Sequence, residues 1–580
     1  MSRLLPTRSE WRTLFDALTR KEKIIFLVFL LITWVSFNMV LVRVDRDFSK
    51  ETPADGGSVT EGIVGIPRFI NPLLAISDVD RDIARIVYAG LVKPDSKGGF
   101  IPELAERYDI SEDGLTYTFY LRENLRWHDG EVLTAEDIAF TVELAKNPAI
   151  RSFRLAHWEG VDMEIKNDRE IVFRLKRPYA PFLGNATMGI LPRHLWRDTE
   201  PEAFPLATLN TEPVGAGPFR VDTVTKDNRG VITAFNLKRF KGYQPRSSYL
   251  DSVVFNFYPT DTTLRAALED GAVDAASIDH SWQVSNHSTV HEMSLPRVVG
   301  VFFNQDTYTP LRDPVLREAL NRATDRERIV RELLGGRANA TSLPIPPGTF
   351  AHASTLEKTA RDIEGAKEML AKANYEDTDS DGIIEKLEGK KDRVKISFTI
   401  TTIQTPELVR AAEMVRDMWR EIGVEVTVQA YEKGDLDQNF IRPRNYDALL
   451  YGLVMGYDID PLGFWHARQI KHPGSNIALY ANTKVDKLLE DAQHTTSTEK
   501  RKELYTLFQE ELSKDRPAVF LYSPHYLYAT EKSLGGVGAG IIPFPQERFS
   551  TIDAWYTQTK SVWNIFAGDF SNPLAILTKK

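Results

Sequence analysis

The chain predicts a mixed α/β protein rich in strands, preceded by one N-terminal transmembrane helix. Three observations carry this. About 19 consecutive residues, Ile24 to Val42 (IIFLVFLLITWVSFNMVLV), contain no charge. Beyond them, short alternating apolar runs interleave with capped stretches of helical spacing. The 580 residues are 42% hydrophobic and 26% charged, ordinary globular usage, with length for about four domain-sized lobes.

As a helix rising ~1.5 Å per residue, the uncharged run is just long enough to cross a hydrocarbon core. Arg3, Arg8, Arg12, Arg20, Lys21 and Lys23 precede it, so the positive-inside rule places residues 1–23 in the cytoplasm and the chain after the run outside. A cleaved signal peptide is the rival reading. It would have a shorter apolar run and a small-residue cleavage site, whereas this run leads into Arg43-Val44-Asp45-Arg46-Asp47. Residues 43–57, ending in the turn-forming FSKETPADGG, read as a linker to an ectodomain starting near Ser58.

In the ectodomain, Tyr117, Phe119 and Leu121 alternate with Thr118 and Tyr120 after the turn Ser111-Glu112-Asp113-Gly114, which predicts a strand with one buried face. After Asp129-Gly130, Thr134 and Asp137 have capping-box spacing and open a helix through Ala145. Leu250 to Tyr258 and Val394 to Thr402 read as strands. Pro314 to Ala323, Glu364 to Ala373, Pro406 to Ile422, Val485 to Ala492 and Thr498 to Leu512 read as helices. The last stops before Pro517, and Ala518 to Tyr522 (AVFLY) reads as a fully buried strand.

With 72 Lys+Arg against 81 Asp+Glu the net charge is −9, which disfavours nucleic acid as a partner. The chain has no Cys, so disulfides, thiolate metal sites, a cysteine nucleophile and a lipidated N-terminal Cys are excluded. No phosphate loop, G-x-S-x-G turn or H-E-x-x-H motif occurs, which lowers the expectation of an enzyme. His466 and His472 do not have metal-ligand spacing, and Glu510-Glu511 read as a solvated helix face.

Asp377-Thr378-Asp379-Ser380-Asp381-Gly382 through Glu388 matches the twelve-residue calcium-loop template. Asp377, Asp379, Asp381, the Ile383 carbonyl and Glu388 are the candidate ligands of a structural calcium; no cofactor is required. The alternative is an acidic turn between a helix and a strand, because Gly389-Lys390-Lys391 and a strand lead out.

From Gly62 onward several long segments occur in a specific order. These are IPRFINPLL (Ile66 to Leu74), VYAGLVKPD (Val87 to Asp95), Ile101 to Glu143, GAGPFRV (Gly215 to Val221), Phe302 to Arg326, GYDIDPLGFWH (Gly456 to His466) and RPAVFLYSP (Arg516 to Pro524). The chain here resembles the family 5 extracellular solute-binding proteins, the peptide-binding receptors of ABC importers. The resemblance implies a two-lobed periplasmic-binding-protein-like ectodomain that closes around its ligand. Lobe I would comprise 58–79, 191–301 and 532–580, with an inserted domain over 80–190 and lobe II over 302–531.

It also implies an acidic side chain pairing the peptide's α-ammonium near Pro461. Asp458 is expected in that role, with Asp460 as the alternative, although the acid is shifted by one residue from the A-D-Y-x-D-P pattern. Trp465 and Tyr451 would pack against ligand side chains or fill the lobe core. Asn304 would bond ligand backbone or the hinge. Permease and ATPase would be other chains, and the membrane would be a partner through the N-terminal helix. Competing readings are a receptor for a metal chelate or oligosaccharide, a surface hydrolase and a sensor ectodomain.

Overall fold

In the computed structural model, residues 7, 13, 16–244, 246–282, 284–388, 392–538 and 540–563 are described, apart from the side chains of 44–47, 388 and 392. Of the expected cytoplasmic segment, the residues before 16 lie outside these save 7 and 13, as does the tail after Trp563.

The chain divides into two compact units, 1–56 with 556–580 and 57–555. In the first, a helix spans Arg20–Phe48, opened by a capping box in which Thr19 and Glu22 bond one another's backbone N–H. At 29 residues it is roughly 43 Å long, more than a ~30 Å hydrocarbon core requires. Its apolar side chains face outward on every side, from Ile24 to Val42, and it is the one helix among the described residues long and apolar enough to span a bilayer. The expected linker is largely a strand. Ser49–Ala54 pairs antiparallel with Gln558–Trp563, in register Ser49 to Trp563. The tail from Tyr556 therefore groups with the helix rather than with lobe I, because the exposed backbone of 49–54 needs a partner and finds it there.

In the second unit, the strand Ser58–Val64 lies parallel to Ser252–Tyr258 and Ala275–Ile278, and Ile232–Arg239 and Phe219–Lys226 extend the sheet. A second sheet joins Arg297–Phe303, Ala448–Val454, Ser397–Ile403 and Glu425–Tyr431. One strand, Ala518–Glu531, belongs to both. Its residues from Ala518 to Tyr522 pair with Arg297–Phe303, and those from His525 to Glu531 pair with Ser288–Ser294. The partners change over around Pro296 and Pro524, residues that have no N–H to donate to a ladder. The strand thus passes from one sheet to the other between Tyr522 and His525.

The inserted region carries the sheet Ala105–Ile110, Thr116–Leu121, Glu170–Arg174 and Asp162–Asn167. Tyr117, Phe119 and Leu121 are buried on one face, as their alternation predicts, and the helix Ala135–Lys146 follows Thr134. Its core is continuous with that of lobe I: Phe119, Ile138 and Phe173 share one cluster with Val59, Ile86 and Phe255. Insertion and lobe I thus share one core. Lobe II has a separate core on each face of its sheet. The strand expected over Val394 to Thr402 is two, Asp392–Lys395 in a small hairpin sheet and Ser397–Ile403 in the main one.

Candidate functional site: a cleft between two lobes

A cleft of about 500 Å³ lies where lobe I, the insertion and lobe II meet. The helix Asp78–Val87, at the junction of lobe I and the insertion, forms one wall. Ser77 caps it, accepting from the Asp80 N–H, while Asp80 accepts from the N–H groups of Arg68 and Phe69. Ile83, Ile86 and Val87 are buried, which leaves Arg81 and Arg85, one turn apart, to line the cleft. The GAGPF motif holds the end of this helix: Gly217 N–H donates to the Val87 carbonyl, and a Cβ at Gly215 or Gly217 would collide with that carbonyl.

The insertion contributes a loop locked by Ser152, whose hydroxyl donates to the Leu73 carbonyl at 2.9 Å and accepts from the Arg154 N–H. This presents Arg154 and His157 to the cleft. Lobe II contributes the turn after Ala448–Val454. Gly456, at φ +78°, takes a conformation that side chains rarely adopt, and sets Tyr457, Asp458 and Asp460 along the wall.

Asp458 does not stand free. Arg501 Nη2 donates to it at 2.9 Å, and both side chains are nearly buried. Arg501 also donates to the Ile459 carbonyl and lies over Phe350 and Tyr505. Burial opposes the charge on Arg501, but Asp458 and then Tyr505 outweigh it and hold the guanidinium protonated. Asp460 differs. Gln493 donates to one oxygen at 2.6 Å and the Leu462 N–H to the other at 3.2 Å, and no cation lies in ion-pair range among the described residues. Burial raises its pKa above the ordinary carboxylate value, with the Gln493 and Leu462 bonds pulling back.

The opposite wall holds Glu547, which accepts from Arg85 at 2.9 Å and from the Tyr457 hydroxyl at 2.6 Å. Arg85 also reaches Glu103 at 3.3 Å, and Tyr243 donates to Glu103. Tyr457 belongs to lobe II and Glu547 to lobe I, so the lobes touch through a charge-assisted bond.

Three expected ligand contacts lie elsewhere. Trp465 is fully buried between Phe302, Phe520 and Tyr480, so it builds the core of lobe II. Tyr451 sits mid-strand opposite Gly300, part-buried against the same core and outside the cleft. Asn304 is buried in a turn outside the cleft lining, donating to the Arg444 carbonyl and accepting from Asp306 and Thr307 N–H. What residue-level reasoning missed is the half of the wall outside lobe II's turn: Arg81, Arg154, His157 and Glu547. They are scattered over 467 positions, and no local pattern marks them.

In the calcium-like loop, Asp377, Asp379 and Asp381 bring carboxylate oxygens within 4.8 Å of one another. Lys395 Nζ contacts both Asp379 and Asp381. Glu388 ends the strand Glu385–Glu388, an extended exit that carries it roughly 10 Å along from Glu385, where the template has a helix. Its side chain lies outside the described residues.

The family model described as "Bacterial extracellular solute-binding proteins, family 5 Middle" matches residues 99–475. The chain belongs to this family. Within it, the chain is 28% identical over 522 residues to the oligopeptide-binding protein AppA of Bacillus subtilis, covering 87% of this chain and 92% of that one. It is 26% identical over 489 residues to the dipeptide-binding protein of Escherichia coli, covering 79% and 87%. The structure of Bacillus subtilis AppA in complex with a nonapeptide superposes with a TM-score of 0.66 at 27% identity, covering 87% of this chain and 99% of that one. NikZ from Campylobacter jejuni in complex with Ni(L-His) does so at 0.69 and 25%, covering 86% and 99%. The family is one of extracytoplasmic solute-binding proteins, so the two-lobed fold and the cleft are those of a receptor.

Proposed function

We propose that the chain is a peptide-binding receptor of an ABC importer, which closes its lobes on a short peptide and hands it unchanged to a permease and ATPase on other chains. The observation that carries this reading is the Asp460 carboxylate, part-buried on the cleft wall with no cationic partner among the described residues and lone pairs to spare, suited to a ligand ammonium. The likeness to AppA and to the dipeptide-binding protein supports it. Asp458 serves instead to hold its turn through Arg501. A cleft of about 500 Å³ has the size of sites for small organic ligands and suits a few residues. Closure removes water around the ligand and strengthens its polar contacts, and that differential affinity is what shifts the open–closed population.

The test is calorimetry with a library of di- to pentapeptides, each with a free and an acetylated N-terminus. Tight binding of the free form alone supports the reading; equal binding removes Asp460 from it. A metal chelate is the second reading, favoured by His157 beside Arg154 and by the likeness to NikZ. Binding of nickel–histidine and of no peptide would establish it.

The helix Arg20–Phe48 is proposed as an uncleaved anchor, because its apolar run is long and leads into Arg43-Val44-Asp45-Arg46-Asp47 rather than a small-residue cleavage site. N-terminal sequencing of the membrane-extracted protein tests this: a terminus beyond Val42 would make it a signal peptide. The Asp377 loop is proposed to take calcium weakly, in competition with Lys395.

A further inference from the structure

We infer that the strand pair Ser49–Ala54 and Gln558–Trp563 is a second membrane contact, with Trp563 seated in the lipid headgroup layer beside the end of the helix Arg20–Phe48. The inference rests on the reading of that helix as an uncleaved anchor, and the partner it names is a phospholipid surface. The register places Trp563 opposite Ser49, the residue that follows the helix. The uncharged run ends at Val42, and the seven residues from there to Ser49 rise about 10 Å in an upright helix, to the outer edge of the headgroup layer. Phe48 is 57% exposed and Trp563 47%, so two large aromatic side chains present much of their surface at that level. Tryptophan is favoured at a bilayer–water interface, where its ring body is apolar and its N–H reaches polar headgroups.

The strand pair also needs a surface to lie on. It is a sheet of its own, grouped with the helix rather than with the rest of the chain, and its side chains are exposed or half-buried apart from Thr52. Two strands by themselves are marginal in water and gain stability by packing against something. The anchor brings a lipid surface within reach. Direction matters as well: the second strand is antiparallel, so the chain runs from Gln558, opposite Ala54, back to Trp563 at the helix end. Residues 564–580 follow and lie outside the described residues; their sequence includes Phe566, Phe570, Leu574 and Leu577, then Lys579 and Lys580. Apolar side chains for the acyl boundary and lysines for lipid phosphate are the chemistry of an interfacial segment.

The chain has no Cys, so one introduced cysteine carries the only thiol-linked label. Full-length protein bearing Asn564→Cys or Gln558→Cys is labelled with nitrobenzoxadiazole and reconstituted in phosphatidylethanolamine–phosphatidylglycerol vesicles that contain lipid with a headgroup nitroxide. Gln558 lies five residues from Trp563, about 17 Å of strand. The label at 564 is therefore expected to be quenched about threefold or more over the label at 558. Adding Trp563→Ser to the Asn564→Cys protein should remove about half of that quenching or more. Equal quenching at 564 and 558, in a protein that keeps its N-terminus and floats with the vesicles, overturns this contact alone and leaves the anchor in place. Quenching untouched by Trp563→Ser overturns the role of Trp563. Quenching at 564 that appears only after a membrane extract is added assigns the strand pair to a protein partner and overturns the lipid surface. A mature N-terminus beyond Val42 overturns the anchor reading, and this contact with it.

Discussion

The Tyr457 hydroxyl of lobe II donates to Glu547 of lobe I at 2.6 Å, and the ring of Tyr457 lies edge-on to Phe544 at 5.1 Å. Glu547 is 2% exposed and already accepts from Arg85. Closure thus adds one charge-assisted bond to a buried network that lobe I and the insertion assemble between them. Tyr457→Phe keeps the ring and removes the bond. A hydrogen bond to a charged group contributes about 1.5–3 kcal/mol, so the closed form should lose roughly tenfold or more in population. Small-angle scattering without ligand should show a more open molecule with little change in Tm. An unchanged profile would mean the contact does not bias closure.

Asp458 and Asp460 should separate in mutagenesis although only Ile459 stands between them. Arg501→Met leaves a nearly buried Asp458 unpaired and is expected to cost about 3–5 kcal/mol of stability, read by urea melting. Asp460→Asn should leave stability close to wild type, since the Asn oxygen still accepts from the Leu462 N–H and a turned Gln493 amide accepts from the new NH2, and should weaken free-amine peptides. The reverse pattern would return the ligand role to Asp458.

Asp82, fully buried against Arg548, has its pKa pushed up to about 6, by burial first and against the pull of Arg548. An unfolded Asp titrates near pH 4, so between these values the folded chain holds a proton that the unfolded chain has released. The stabilisation is therefore full below about pH 4 and is lost as pH rises through 6. Buried His128, lowered to about 4 chiefly by desolvation, acts in the opposite direction, so the comparison must be with Asp82→Asn. Relative to that variant, wild type should gain roughly 1–3 kcal/mol from pH 7 to pH 4.5. A gap that is flat in pH, or that shrinks on acidification, would show Asp82 ionised throughout.

Millimolar calcium should raise the Tm of wild type by about 1–2 °C, through linkage at one weak site, and should not raise that of Asp379→Asn. Identical curves with calcium and with chelator would leave Lys395 as the cation that Asp379 and Asp381 hold.

The amino-acid sequence alone determined what depends on near neighbours. The uncharged run from Ile24 became a helix because each backbone group is satisfied within it, and the alternation at Tyr117, Phe119 and Leu121 became a strand with one buried face because its period is two. The ordered motifs marked the family and the turn before Pro461. Only the tertiary structure decided which charge is free. Asp458 and Asp460 look alike in sequence, and the difference is Arg501, 43 residues from Asp458 and delivered by a separate helix. Arg154 and Glu547 reach one cleft because the insertion shares a core with lobe I and the chain returns after Ala518–Glu531. Electrostatic compensation acts through space between residues far apart in the chain, so no local spacing could report it.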